Sequence, residues 1–162
     1  MSAESDWCVL YRDEHLVVVD KPPGIPVHHG ASRDGVPMLQ RVRDHVGARV
    51  HPVHRLDRPT SGVLVFAFDP ATTAALQQQL TTSAEKRYVA LVRGVPPGEV
   101  VVDRPVPGRR EGVKVPAETL IRRLAVAEER WGLVEALPRT GRRHQIRRHL
   151  KSLRLPIAGD VN

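Results

Sequence analysis

The longest apolar run in the chain is Val63-Leu64-Val65-Phe66-Ala67-Phe68, closed by Asp69-Pro70. A near-continuous apolar stretch of strand length predicts a strand buried on both faces. Upstream, Cys8 to Tyr11 and Leu16 to Val19 enclose the polar Arg12-Asp13-Glu14-His15, the pattern of two short strands around a turn. Asp20-Lys21-Pro22-Pro23-Gly24-Ile25-Pro26 ends the second of these, because three prolines and a glycine forbid a regular ladder. Met38, Leu39, Val42 and Val46 recur at helical spacing and Gly47 supplies a stop, which predicts a helix over 37–46 packed by one face. Asp69 followed by Pro70 is an N-cap and first-turn signature for a helix running to about Leu80.

The second half alternates more than it runs. Residues 85–94 suit a strand carrying Tyr88, Glu99 to Val102 suit another, and 117–126 with Trp131 to Leu137 suit a pair around Glu128-Glu129-Arg130. Residues 103–116 (DRPVPGRREGVKVP) read as a basic, Pro/Gly-rich loop able to track phosphates. At roughly a hundred degrees per residue, Ile146, Leu150 and Leu153 form one apolar stripe. Thr140 suits the cap ahead of it, and Arg143, Arg147, Lys151 and Arg154 fall along one flank.

A chain of 162 residues with 41% hydrophobic composition is expected to form a single globular domain with its own core, not a disordered polymer. Its 25 Lys and Arg against 18 Asp and Glu give a net charge of +7, which suits a polyanionic partner such as nucleic acid. One cysteine, Cys8, forms no internal disulfide and points to a reducing compartment. The opening MSAESDWC has neither the basic nor the apolar stretch of a leader, and no run has the length of a membrane span. A cytoplasmic monomer, without membrane association, is the expectation.

Candidate chemistry gathers at His54-Arg55-Leu56-Asp57-Arg58-Pro59-Thr60-Ser61-Gly62, a charged loop feeding directly into the apolar run. Arg55 and Arg58 flank Asp57 and favour its ionised form, which suits a nucleophile better than a general acid. An isolated loop aspartate more often caps a turn, and an isolated strand tyrosine such as Tyr88 more often rims a core. A lone lysine at a turn is ordinarily solvated, so Lys21 stays outside the candidate set. His28, His29, His45, His51 and His54 show no metal-ligand spacing with an acidic partner, so neither a metal nor a cofactor is expected. In 140–154 no acid interleaves the bases, although like charges at i, i+4 cost a few tenths of a kcal/mol each, so the flank points to a ligand with negative charge.

Three strings, HRLDRPTSGVLVFA, KRYVALVRG and TGRRHQIRRHL, together with DEHLVVVDKPPGIPVH near the start, resemble the motifs of the RluA-type pseudouridine synthases in that family's order. LRLPIAGD and GLVEALPRTGRRHQIRRHL extend the likeness toward its tRNA-specific branch, which modifies a uridine where the T stem meets the acceptor stem. The resemblance implies an α+β fold with a mixed, largely antiparallel central sheet flanked by helices and loops. It implies Asp57 as nucleophile, Tyr88 contacting the target nucleotide and Arg147, the arginine after HQI, paired with the Asp57 carboxylate. Arg55, Ile146, Arg143, Lys151 and Arg154 are the expected RNA-binding residues, with tRNA as the preferred partner and ribosomal RNA as the alternative. No cofactor is implied. Relatives continue beyond Gly159-Asp160-Val161-Asn162 into further core strands, so a truncated core that holds RNA without turnover is the competing expectation. A glycoside hydrolase finds no second carboxylate near Asp57 in the sequence.

Overall fold

The computed structural model describes residues 7–29, 35–108 and 110–160. They group into two compact units, 1–79 and 80–162, each described by itself below.

In the first unit, strands β1 (Cys8–Arg12), β2 (Leu16–Lys21), β3 (His51–Pro52) and β4 (Gly62–Ala67) form an antiparallel sheet in the order β1-β2-β4-β3. Val17, Val19, Leu64 and Phe66 share one face, since Val17 pairs with Phe66 and Val19 with Leu64. Helix α1 (Met38–Val46) covers that face through Met38 and Val42, and all six side chains are fully buried. Each such burial stabilises by roughly 1.5–3 kcal/mol. The first N–H groups of α1 are satisfied by the Pro26 and Val27 carbonyls, and Gly47, at φ 69°, supplies the left-handed C-terminal turn.

Strand β4 is not buried on both faces as its apolar run suggests. Val63 is 57% exposed and Val65 is half-buried, because α1 covers only the face that carries Leu64 and Phe66. Strand β2 is longer than the prolines suggest, and its alternation carries Lys21 onto the buried face behind Val17 and Val19. The expected turn lysine is therefore wholly buried. Helix α2 (Pro70–Thr82) starts where Asp69 accepts the Thr72 N–H at 2.8 Å, and the boundary between the units falls within it.

In the second unit, β5 (Tyr88–Arg93), β6 (Glu99–Asp103), β9 (Glu118–Ala127) and β10 (Trp131–Pro138) form an antiparallel sheet in the order β5-β10-β9-β6. A three-residue turn, Glu128-Glu129-Arg130, with Glu128 and Glu129 at positive φ, joins β9 to β10. The expected loop over 103–116 contains a short ribbon, β7 (Val106–Pro107) with β8 (Lys114–Val115); its Arg109 lies outside the described residues. Every strand pairing named here is antiparallel, and the fold is α+β as expected, its strands shared between two four-stranded sheets and the ribbon.

Helix α3 (Gln145–Ser152) packs Leu150, with Ile146 beside it, on a core of Val92, Val102, Ile121, Val134 and Ala136. Its cap is not Thr140 but His144, in the left-handed region at φ 54°. Thr140 instead donates to Gln145 Oε1 at 2.7 Å and accepts the Glu118 N–H at 3.2 Å. A buried polar chain then docks the helix on β9. Gln145 Nε2 donates to the Glu118 carbonyl and to Thr119 Oγ1, both at 2.9 Å. His149 spans Thr119 Oγ1 and the Arg104 carbonyl, each at 2.9 Å. A carbonyl only accepts, so His149 Nε2 carries the proton and the Thr119 hydroxyl donates to Nδ1.

Thr119 is thus the one group that both accepts from Gln145 and donates to His149. Thr119→Val keeps the shape and leaves an acceptor and a donor without partners. It is expected to destabilise by about 1–3 kcal/mol, read as a lower midpoint in urea unfolding with an unchanged slope. An unchanged midpoint would show that the chain does not hold α3 in place.

Candidate active site

The Asp57 loop is built from its neighbours. Leu56 and Val53 are buried beneath it, and Thr60 N–H closes a turn onto the Asp57 carbonyl at 3.0 Å. The next carbonyl, that of Arg58, receives the Gly24 N–H at 2.8 Å and Lys21 Nζ at 3.2 Å. Arg58 returns the contact by donating Nε to the Gly24 carbonyl at 2.8 Å. Gly24 sits at φ 84°, a conformation that a side chain would strain, so the turn can present both its N–H and its carbonyl to Arg58. Lys21 Nζ also donates to the Pro22 and Ile25 carbonyls at 2.8 and 2.7 Å. Three ammonium donors thus meet three carbonyls, and the Pro22–Ile25 turn is fastened to the loop of Asp57.

Burial pushes the Lys21 amine down from 10.5 to about 8, while the nearby negative charge of Asp57 opposes the shift. Burial also lowers the imidazole of His54, opposed by its contact with the Arg55 backbone. His54 Nε2 accepts the Val65 N–H at 3.3 Å and so ties the loop to β4. Asp57 itself is half-buried, and Arg55 and Arg58 are exposed. The arrangement presents one carboxylate on a loop held from behind by a cation.

In the second unit Tyr88 opens β5, half-buried against the core. Arg147, on α3, donates Nε and Nη2 to the two oxygens of Asp160, each at 2.6 Å. The basic flank is therefore not uniform. Arg147 is 22% exposed and already paired, whereas Arg143, Lys151 and Arg154 are exposed. Nor is Arg154 on the helix: α3 ends at Ser152, and Arg154 takes a left-handed turn at φ 63° so that Leu155 N–H reaches the Leu150 carbonyl. Ile146 is half-buried against the core. Lys21 and Asp160 were outside the candidate set; the signal for Lys21 lay in its spacing of two and four residues from Val19 and Val17.

The model of the RNA pseudouridylate synthase family matches residues 15–152, and the chain belongs to that family. Among its relatives, the tRNA pseudouridine synthase C of Pectobacterium carotovorum is 39% identical over 94% of this chain and 47% of its own length. The proteins of the same name in Salmonella typhimurium and Pasteurella multocida are 42% and 37% identical, with 67% and 72% of their lengths covered. The chain thus spans between about half and three quarters of these relatives. The solved human RNA pseudouridylate synthase domain containing 4 is 33% identical with a TM-score of 0.76, over 94% of this chain and 67% of that one. The human domain containing 1, at 23% identity and a TM-score of 0.78, shares the fold.

Replacing Lys21 by Met removes the three donors and strands the Pro22 and Ile25 carbonyls, while the Arg58 carbonyl keeps only the Gly24 N–H. Lys21→Met is expected to destabilise by roughly 2–4 kcal/mol at neutral pH. Because the folded chain releases this proton near pH 8 and the unfolded chain nearer 10.5, native Lys21 binds fewer protons in that window. Its contribution to stability therefore rises with pH there. Urea unfolding of both proteins from pH 7 to 10 should show the wild-type advantage widening; a narrowing gap would contradict the sign.

Proposed function

We propose that this chain isomerises a uridine to pseudouridine in structured RNA, with Asp57 as the nucleophile. The observation that carries the reading is the clamp on the Arg58 carbonyl by Lys21 and Gly24, which fixes the loop of a half-buried carboxylate. In the reaction the bond from uracil N1 to ribose C1′ breaks, the base turns, and its C5 joins C1′. The C5 proton leaves, N1 gains a proton, and the net change is an isomerisation that consumes no oxidant or reductant. Asp57 acts on the ribose side. Tyr88 stacks on the flipped base, and Arg147, gripped on one edge by Asp160, steadies the Asp57 carboxylate. Extruding the base costs a few kcal/mol, which phosphate contacts from exposed Arg143, Lys151 and Arg154 offset, with Arg55 and Ile146 lining the substrate.

The preferred substrate is tRNA, because the relatives at 37–42% identity carry the name tRNA pseudouridine synthase C; the resemblance of the motifs to the tRNA-specific branch suggests the junction of T stem and acceptor stem as the target. Ribosomal RNA is the alternative substrate. A monomer working in the cytoplasm fits the lone cysteine, Cys8, which is exposed and free. Among the described residues no helix is long and apolar enough to cross a membrane.

Release of tritium from RNA labelled at uridine C5 tests the reaction directly. Wild type should release it from tRNA. Asp57→Asn should lose at least about 10³-fold in rate while its Kd for tRNA changes by less than about two-fold. A parallel loss of affinity would remove the nucleophile assignment, and no release by wild type that still binds tRNA would favour a non-catalytic RNA-binding core.

Salt separates the basic residues. Arg143→Ala, Lys151→Ala and Arg154→Ala should each weaken tRNA binding and flatten the dependence of log Kd on log salt by up to about one contact's worth. Slopes equal to wild type would exclude these side chains from the phosphate contacts.

A further inference from the structure

The contact between Arg147 and Asp160 has the geometry of an aiming device. Both oxygens of Asp160 are engaged, one by Nε and one by Nη2, at 2.6 Å each, and the two side chains are only 22% and 19% exposed. Such a fork fixes both the plane and the rotation of a guanidinium, and salt screens it less than an exposed pair. Asp160 is held firmly in turn. Arg93 N–H donates to the Pro156 carbonyl at 2.9 Å and Ala158 N–H to the Leu91 carbonyl at 2.8 Å, so residues 156–158 lie along β5. Leu155 anchors the segment in the core, and Asp160 N–H closes a turn onto the Ile157 carbonyl at 3.1 Å, with Gly159 at φ 78°. The carboxylate is thereby registered on the strand that bears Tyr88, and it grips an arginine that belongs to α3.

We propose that Asp160 is a positioning residue for the isomerisation, acting through Arg147. The inference deepens the functional reading above and rests on it. A guanidinium carries five N–H donors in one plane. Asp160 takes the edge formed by Nε and Nη2, and the adjacent edge, Nη1 with the second hydrogen of Nη2, has the geometry to meet a further anion bidentately. On the functional reading above, that anion is the Asp57 carboxylate. Without Asp160 the cation persists, but its plane is no longer set, and a shift of about 1 Å in a positioning group can cost on the order of 10²-fold in rate. Asparagine at 160 offers one acceptor and turns an NH₂ donor toward the other N–H, so Asp160→Asn breaks the fork while nearly conserving shape.

The test uses the full chain, as wild type, Asp160→Asn, Arg147→Ala and the double variant, each assayed well below its own melting temperature. Tritium release gives kcat and KM, and the ¹⁵N-edited proton spectrum follows the Arg147 Nε–H. Asp160→Asn is expected to lower kcat about 10- to 100-fold with KM within about two-fold, and to add no further loss in the Arg147→Ala background. An unchanged kcat, or the same loss in both backgrounds, would overturn the proposal, because a residue acting only on stability does not depend on Arg147. If wild type releases no tritium from any RNA, the functional reading fails separately and the spectrum still reports on the grip. Loss of the slowly exchanging Nε–H in Asp160→Asn would support it, and a resonance unmoved by the substitution would overturn it.

Discussion

A buried ammonium must be met by acceptors, and around Lys21 that requirement organises the first unit. Taking an unpaired amine out of water costs several kcal/mol, so the sequence nearby has to deliver carbonyls. It does so from two directions. Pro22 and Ile25 bend the chain back over the amine, and Arg58 brings a third carbonyl from a loop 37 residues away. The register of β2 with β4 makes this possible, since Lys21 pairs with Gly62 and the loop ending at Gly62 therefore lies beside the lysine. The same ammonium contributes a positive charge behind the carboxylate of Asp57. One interaction thus satisfies the ammonium and closes the loop that presents Asp57.

The second unit solves a comparable problem with neutral groups. Helix α3 has a narrow apolar stripe, and its docking on β9 depends on Gln145, Thr119 and His149, all nearly or fully buried. The polar groups of that chain are matched donor to acceptor, which adds directional restraint on the rotation of the helix to the packing of Leu150 and Ile146. A fixed rotation decides where the next residue along, Arg147, points. Buried polar satisfaction and the placement of the Arg147 cation are therefore linked through a single helix.

Much of this was legible from residue order. Hydrophobic patterning located the seven longer strands but not the two-residue β3, β7 and β8, Asp69-Pro70 and Gly47 marked helix ends through local capping chemistry, and the Asp57 loop stood out by its charge beside an apolar strand. What escaped the sequence depended on partners distant along the chain. Val63 and Val65 belong to the same apolar run as Leu64 and Phe66, but a helix covers one face of β4, and only the fold says which. Lys21 looked like a turn lysine because its prolines are local, while the carbonyl that completes its shell comes from Arg58. Thr140 has the composition of a cap, yet its hydroxyl is taken by Gln145 and the backbone of Glu118.

The charge on α3 shows the same dependence and changes what the basic run means. Read as a string, 140–154 has bases and no acid, and repulsion along the helix invites a polyanion to relieve it. In the fold the counter-charge for Arg147 arrives from Asp160, thirteen residues downstream and carried in on a segment paired with β5. Arg147 is thereby removed from the set of loose phosphate-seeking cations and becomes a fixed, oriented one, while Arg143, Lys151 and Arg154 keep their exposure. The two kinds of cation serve different ends. Exposed, flexible bases attract a polyanion over a Debye length and release counterions when it arrives, which governs affinity and its salt dependence. A guanidinium gripped on one edge has given up its freedom before any ligand binds, so its remaining donors act without a further entropic cost, which is the condition under which an electrostatic contact favours a transition state over a ground state.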